Sequence, residues 1–232
     1  MKLARRVTQE IKNAQYELAA HTSKLKRRVE HDVPFVCQFA RPEHAELSLR
    51  GELETVNDPH WKDTGALSPA RYADWAFTMC GMASAAMALS HLKGIEKLPA
   101  ELAEEAMRHG VYADEAGIIS GMKYREFVPW IRKYGIKAEV YSRLSLQGIR
   151  YALSNGKLVI VSVNPNIRGY DTAPRGQKGG HLILVTGYDL EAGTIHINNP
   201  SGFTSTNTQR NHRLSNKEFD RYYAGRGIVL SG

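Results

Sequence analysis

A cysteine, a histidine and an asparagine stand in an order and in settings that suit catalysis by a thiol. Cys80 begins a run of small residues, 80–89, which predicts a helix with the thiol in its first turn. Free backbone N–H groups at a helix start carry partial positive charge, which predicts a stabilised thiolate. His181 opens an apolar segment far downstream, and Asn199 follows the next one. The order indicates a nucleophile, a base and a residue that orients the base.

Each of these residues also has an ordinary structural explanation. A free cysteine among small apolar residues is suited to packing in a core. The chain has nine histidines, and most histidines lie on the surface or make structural hydrogen bonds. The case for catalysis therefore depends on whether the fold brings Cys80, His181 and Asn199 together.

A hairpin is predicted where the histidine and the asparagine occur. Residues 181–188 have the composition of a buried strand, and residues 194–198 form a second strand. The segment between them, 189–193, has the composition of a turn. A five-residue loop would pair Tyr188 with Thr194, and this pair sets the register of the whole hairpin.

That register determines which polar side chains share a face of the sheet. Asn199 would face Ile183, which lies on the same face as His181 because side chains alternate with a period of two. Asn199 is then a diagonal neighbour of His181, at roughly 7–8 Å between backbone positions, so its amide can hold the imidazole in one tautomer. His196 and Asn198 point to the opposite face, and a slip of one residue would exchange the two faces.

Helices dominate the first part of the chain and strands the last part. Ser68 and Pro69 are typical of a helix start, and glycine at position 94 predicts the end of the Cys80 helix. Further helices are predicted over 99–109, 122–134, 145–155 and 215–224. Strands are predicted over 32–39, 137–142, 157–163, 181–188, 194–198 and 227–230. Helices followed by an antiparallel sheet indicate an α+β fold.

The first 30 residues are basic and amphipathic. They hold eight basic and three acidic side chains, a net +5 of the chain's +7, and residues 2–30 lack proline and glycine. Apolar residues at spacings of three, four or seven predict one long helix; they are Leu3, Val7, Ile11, Ala14, Leu18, Leu25 and Val29. This apolar stripe can pack on the body, pair with a second copy or bind a partner protein. Scarce aromatics and dispersed lysines disfavour nucleic-acid or membrane binding.

Composition excludes several classes of protein. The chain of 232 residues is 42% hydrophobic, enough to bury a sizeable core. Its two cysteines, Cys37 and Cys80, give neither a disulfide framework nor a zinc-ligand pattern, so we expect a reducing compartment. Neither a signal segment nor an apolar run of roughly 18 residues occurs. We therefore expect a soluble, cytoplasmic protein.

Four segments resemble the bacteriocin-processing (double-glycine leader) peptidase family and its stand-alone relatives, which are papain-like cysteine peptidases. Residues 80–89 are similar to the nucleophile helix of that family, and residues 180–189 to its histidine strand. Asn199-Pro200 resembles the motif of the third catalytic residue, which is usually Asp-Pro. Residues 33–38 resemble the motif that carries the oxyanion glutamine.

The resemblance implies a papain-like fold, in which a helical part with the nucleophile helix packs on a C-terminal antiparallel sheet. It implies a peptidase domain at residues 32–232, preceded by the basic helix at 1–31, which lies outside the match. The catalytic residues that it implies are Cys80, His181 and Asn199, with no metal or organic cofactor. Asparagine can accept the ring N–H as aspartate does, so this departure does not weaken the assignment.

Two residues compete for the oxyanion position. Gln38 fits the family motif but lies 42 residues before the cysteine, which requires an insertion between them. Such an insertion is tolerated because the cost of loop closure grows slowly with length. In compact papain-like enzymes the glutamine lies six residues before the cysteine; that position here is Asp74, whose carboxylate would repel an oxyanion. We therefore favour Gln38, with the Cys80 backbone N–H as the second donor.

These residues predict a cysteine peptidase that hydrolyses a peptide or protein through an acyl-enzyme. One alternative is acyl or peptidyl transfer to an amine by the same thiol. Another is a non-catalytic binding module that works through its N-terminal helix. The resemblance implies peptides with a Gly-Gly leader as one possible substrate class. The long, glycine-rich, basic segment 164–180 is either a lid or substrate rim, or an ordinary solvated loop.

Overall fold

The structure is a computed structural model that describes residues 2–169 and 178–232. The α-helices of this part are α1 (Lys2–Thr22), α2 (His44–Leu49), α3 (Pro69–Ala76), α4 (Cys80–Lys93), α5 (Pro99–Arg108), α6 (Tyr124–Ile131), α7 (Leu146–Ser154) and α8 (Asn216–Tyr222). The strands are β1 (Arg28–Glu30), β2 (Asp114–Glu115), β3 (Ile118–Ile119), β4 (Lys137–Tyr141), β5 (Leu158–Val163), β6 (His181–Asp189), β7 (Thr194–Asn198), β8 (His212–Ser215) and β9 (Tyr223–Ser231). None of the described helices is long and apolar enough to cross a bilayer.

Seven strands form one antiparallel sheet, against which the Cys80 helix packs. The strand order is β4-β9-β5-β6-β7-β8, and β1 pairs with the part of β6 that extends beyond β5. Helix α4 contacts β6 and β5 in the middle of this sheet. The predicted α+β fold, with a helical first part and an antiparallel sheet in the second, is confirmed.

Helix α4 is apolar on every side and is buried accordingly. All ten residues from Cys80 to Leu89 are buried, and the small side chains among them let the helix lie close to the sheet. At Gly81 the helix lies close to its neighbours, because a Cβ there would lie 2.7 Å from Sδ of Met122 and 3.0 Å from Cδ1 of Leu182 on β6. The composition of this helix therefore fixes the thiol against the strand that begins with His181.

Most element boundaries agree with the predicted ones to within two residues. Ser68 caps α3 by accepting a hydrogen bond from the Arg71 N–H, and Pro69 occupies the first turn. The strand predicted over 32–39 is wrong, because this segment forms no ladder. Its backbone is held at its two ends instead: the N–H of His31 donates to Thr186 O at 3.0 Å, and that of Gln38 donates to Pro200 O at 2.9 Å.

The helix predicted over residues 2–30 ends at Thr22, and residues 28–30 form β1. Strand β5 pairs only with the first half of β6, so the second half would present unpaired backbone groups. Strand β1 satisfies these groups from Glu30 opposite Gly187 to Arg28 opposite Asp189. Pairing of the sheet edge therefore outweighs the helical pattern here.

Helix α1 packs on the body through its polar face, which the apolar pattern does not predict. The side chain of Asn13 is buried and donates to Ser142 Oγ at 2.9 Å. The Tyr16 hydroxyl donates to Gly148 O at 3.1 Å, and Glu17 accepts from the Ser145 N–H at 2.8 Å. Within α1 the predicted apolar stripe faces outward instead; its exposed large side chains are Val7, Ile11 and Leu18, at 51%, 53% and 67% exposure.

Candidate active site

The thiol of Cys80 lies at the first residue of α4 and in the wall of a cleft of about 430 Å³. His181, the first residue of β6, lines the same cleft. Phe77 and Thr78, which precede α4, and Leu182 complete this part of the wall. The fold therefore brings together a thiol and an imidazole that lie about 100 positions apart in the chain.

The imidazole of His181 is held from behind by Asn199. Nε2 of His181 lies 2.8 Å from Oδ1 of Asn199, and both side chains are buried. Oδ1 also accepts the N–H of Ser201 at 3.2 Å, which identifies this atom as the amide oxygen. Because an oxygen acceptor requires a donor, Nε2 carries the ring proton and Nδ1 keeps a free lone pair. The predicted contact between the amide and the imidazole is present, and it selects the tautomer in which Nδ1 is the base.

The loop of the hairpin that carries these residues is one residue shorter than predicted. Asp189 pairs with Thr194, so the connection is 190–193, and the predicted pairing of Tyr188 with Thr194 is wrong. Without a compensating irregularity, this difference would move Asn199 to the other face of the sheet.

A β-bulge at Thr186 compensates for the shorter loop. Beyond it, Leu184 pairs with Asn198, which is the predicted register. The loop is one residue shorter than predicted and the bulge adds one residue, so the two differences cancel. Asn199 therefore lies on the predicted face. Asn198 points elsewhere, since its amide donates to Val33 O at 3.3 Å.

Burial favours the neutral forms of both reacting groups. It raises the pKa of the Cys80 thiol, although the backbone N–H groups of Leu182 and Gly81 and the charge of Arg168 act in the opposite direction. Burial, with the charge of Arg168, lowers the pKa of His181 well below its ordinary value, and the hydrogen bond to Asn199 only partly offsets this. The stabilised thiolate stays a prediction, because the contributions to the pKa of Cys80 oppose one another. The helix N–H groups act as expected, but removal from water outweighs them.

Ser201 and Arg168 support the imidazole, and neither role is predicted from the sequence. Ser201 Oγ lies 3.2 Å from His181 Nε2 and accepts a hydrogen bond from Arg168 Nε at 2.7 Å. Ser201 follows Asn199 by two residues, and the N–H of Gly202 closes this turn on Asn199 O at 3.0 Å. The turn thus positions Asn199 and Ser201 on the same ring nitrogen. Arg168 lies in a short turn after β5. Only the tertiary structure brings this turn close to the site.

Gln38 lies behind the cleft and is buried, with 1% exposure. Its Nε2 donates to Ala76 O at 2.8 Å, four residues before Cys80, and this bond fixes the orientation of the amide. The second N–H of Nε2 has no partner among the described residues, and neither has Oε1. Gln38 is not one of the cleft-lining residues, and its bond to Ala76 O places its amide beside the chain segment that leads to Cys80.

Asp74, the other candidate for the oxyanion position, is directed away from Cys80 and into solvent. It lies on the exposed side of α3, where its carboxylate accepts from Arg71 Nη1 at 3.2 Å. The cleft is lined by neither Asp74 nor any other carboxylate of the described residues. A larger surface groove of about 620 Å³ lies at β4 and contains neither Cys80 nor His181.

No group of three or more histidine, cysteine, aspartate or glutamate side chains within residues 2–169 and 178–232 is arranged to hold a metal ion. Part of the predicted lid or rim, residues 170–177, lies outside the described residues.

The α+β architecture, with a thiol at a helix start against a strand that begins with histidine, defines a papain-like cysteine peptidase. The family model described as the Peptidase_C39 like family matches residues 66–229. The chain belongs to this family, and it is a cysteine peptidase.

Solved structures of C39 and related peptidases resemble this fold. A protein described as a C39-like peptidase from Bacillus anthracis has a TM-score of 0.54 at 16% identity, covering 89% of this chain and 98% of that one. A double glycine motif protease from an AMS/PCAT transporter, solved with its leader peptide, has a TM-score of 0.42 at 20% identity and covers 66% and 84%. Xylellain, a cysteine protease from Xylella fastidiosa, has 0.34 at 14%, covering 90% and 87%. No curated protein matches the chain.

Proposed function

We propose that this peptidase hydrolyses peptide bonds through a triad of Cys80, His181 and Asn199. The observation that carries the proposal is the 2.8 Å contact between His181 Nε2 and Asn199 Oδ1, with Cys80 and His181 in one cleft. This contact leaves Nδ1 as the proton acceptor, which is the requirement for activating a neutral thiol.

As Cys80 Sγ attacks the carbonyl carbon of the scissile bond, its proton passes to His181 Nδ1. The imidazolium then gives this proton to the leaving amine, and the C–N bond breaks to leave a thioester on Cys80. A water molecule loses a proton to His181 and attacks the thioester, which releases the acid and restores the thiol.

The oxyanion of each tetrahedral intermediate requires donors on one side of the thiol. We assign the backbone N–H of Cys80, at the helix start, and Nε2 of Gln38. The bond from Gln38 to Ala76 O, which fixes the amide close to the segment before the thiol, supports this assignment. Asp74 is excluded from the role by its charge and by its ion pair with Arg71.

Peptides are the substrates of this reaction, and a Gly-Gly leader peptide is one candidate class to include in an assay. The leader peptide bound by the AMS/PCAT protease is a property of that protein. The site by itself specifies a thiol that reacts with an acyl group, so water or an amine can be the acceptor. Product masses with and without an added amine separate hydrolysis from transfer.

Alkylation by iodoacetamide, mapped by mass spectrometry across pH, tests the proposed nucleophile. Cys37, the other free cysteine, is an internal control because it does not line the cleft that holds His181, and its pKa is raised to about 12. We expect Cys80 to be alkylated faster than Cys37, His181→Ala to slow this alkylation, and Cys80→Ala to abolish cleavage of a mixed peptide library. Equal and slow labelling of the two cysteines, or cleavage that survives Cys80→Ala, would contradict the proposal.

A further inference from the structure

One wall of the catalytic cleft carries a fixed positive charge. Arg226 of β9 lines the same cleft of about 430 Å³ as Cys80 and His181. The hydroxyl-bearing residues Tyr124 and Ser162 lie beside it in this wall. No aspartate or glutamate of the described residues lines the cleft, so the fixed charge that these residues bring to it is positive.

The guanidinium of Arg226 has only neutral partners within residues 2–169 and 178–232. Its Nη2 donates to Ser162 Oγ at a long 3.4 Å, and no carboxylate of this part forms an ion pair with it. Other arginines are paired: Arg41 with Asp63 at 2.8 Å and Arg213 with Glu30 at 3.0 Å. A guanidinium has five N–H donors, so most of those of Arg226 remain available to a ligand.

The surrounding backbone leaves room for this side chain at the cleft. Gly179 has a φ of +104°, and a Cβ at this position would lie 2.6 Å from Arg226 Nη2. Gly227, the next residue on β9, would place a Cβ 2.6 Å from Ile160 O of β5, so glycine lets the two strands lie close together. The close pairing of β9 with β5 places Arg226 beside Ser162.

We infer that Arg226, with the hydroxyl groups of Tyr124 and Ser162, forms a subsite for a carboxylate of the substrate peptide. An arginine fork binds a carboxylate through two parallel N–H bonds, and neighbouring hydroxyl groups donate to its remaining lone pairs. The carboxylate comes from an aspartate or glutamate side chain, or from the free C-terminus of the peptide. This inference rests on the proposed peptidase function and adds a substrate preference to it.

A set of quenched fluorescent peptides tests the subsite. Mass spectrometry of a digested peptide library first locates a cleaved bond. Each position around that bond is then occupied in turn by Glu, Gln or Ala, and each peptide is made with a free or an amidated C-terminus. At one position we expect Glu to exceed Gln by about 10- to 100-fold in kcat/KM, mainly through KM. Dependence on the free C-terminus alone identifies the terminal carboxylate as the ligand.

Variants assign the preference to Arg226. Arg226→Gln should lose it, and Arg226→Lys should keep part of it because the charge remains. Arg221→Gln, which changes an exposed arginine of α8 outside the cleft, should leave it intact. Far-ultraviolet circular dichroism checks that each variant folds.

Absence of peptidase activity and absence of the carboxylate subsite would give different results. If no library peptide is cleaved and Cys80 is not selectively alkylated, the proposed function is wrong. If peptides are cleaved but Glu equals Gln at every position and the acid equals the amide, the function stands and the carboxylate subsite is wrong. This second comparison uses the unmodified protein, so it does not depend on the folding of any variant.

Discussion

Replacing Arg168 with glutamine should move the acid limb of kcat/KM to higher pH. Arg168 Nε is bonded to Ser201 Oγ at 2.7 Å, and this oxygen lies 3.2 Å from His181 Nε2. A cation in this position disfavours the imidazolium and helps to hold the pKa of His181 below its ordinary value. Activity requires the neutral imidazole, so activity falls as the pH drops through that pKa. Removing the cation raises the pKa, and the fall then begins at a higher pH.

The contacts set the size of the shift. The two bonded distances place Arg168 Nε within about 6 Å of His181 Nε2, and at an effective dielectric constant of about 20 the repulsion is about 2.8 kcal/mol. That energy corresponds to about 2 pH units. The guanidinium charge is delocalised and the side chain is partly exposed, so solvent screening reduces the expected shift to about 1–2 units.

The assay is kcat/KM as a function of pH, with two matched variants. Arg168→Lys keeps the charge and should leave the acid limb close to its original position. Ser201→Ala removes the hydroxyl link but keeps the cation, so it should move the limb less than Arg168→Gln. An acid limb that is unchanged in Arg168→Gln, or that moves to lower pH, would refute the electrostatic reasoning. Alkylation of Cys80 gives a second readout, because Arg168 also lowers the pKa of that thiol and its loss should shift alkylation to higher pH.

Substitutions at Gln38, Asn199 and Glu17, the first two with matched controls, test the assigned roles. Gln38→Ala should lower kcat about 100- to 1,000-fold, because an oxyanion donor is lost. The control Asp74→Ala, at the exposed ion pair, should leave kcat unchanged. Intact turnover in Gln38→Ala would contradict the assignment. Asn199→Ala frees the imidazole to adopt the wrong tautomer and should lower kcat about 100-fold, while Asn199→Asp, which keeps an acceptor oxygen, should retain most of the activity. Glu17→Ala removes the carboxylate that accepts a hydrogen bond from Ser145, the N-cap residue of α7. We expect the free energy of unfolding, measured by urea denaturation, to fall by about 1–2 kcal/mol. An unchanged midpoint would show that α1 docks without this bond.

The register of the catalytic hairpin shows which features the sequence can predict. Alternation along residues 181–188 and 194–198 determines that each strand has two faces, and this depends only on local composition. The loop length and the bulge at Thr186 depend on contacts that the alternation does not describe. The backbone N–H of His31, the residue after β1, donates to Thr186 O, so a distant part of the chain holds the bulged residue. The predicted relation of Asn199 to His181 is right although the loop is wrong.

The N-terminal segment shows the opposite case, in which the local pattern is clear and the tertiary role is not. Residues 2–22 are helical as their periodicity predicts. The face that docks is determined by acceptors on the body, such as Gly148 O for the Tyr16 hydroxyl, and these cannot be located from the helix itself. Residues 28–30 become a strand because β6 has a free edge, which is again a property of the sheet.

The charges around the active site link its resting state to its substrate. Burial and Arg168 hold the imidazole neutral, and the residue that orients it, Asn199, is an amide without charge. The imidazolium is therefore favoured during attack, where the charge of the developing oxyanion compensates it. A substrate carboxylate bound at Arg226 would add a negative charge to the cleft and favour the imidazolium in the complex. Since kcat/KM reports the pKa of the free enzyme and kcat that of the complex, the acid limb of kcat should lie at the higher pH for acidic peptides alone.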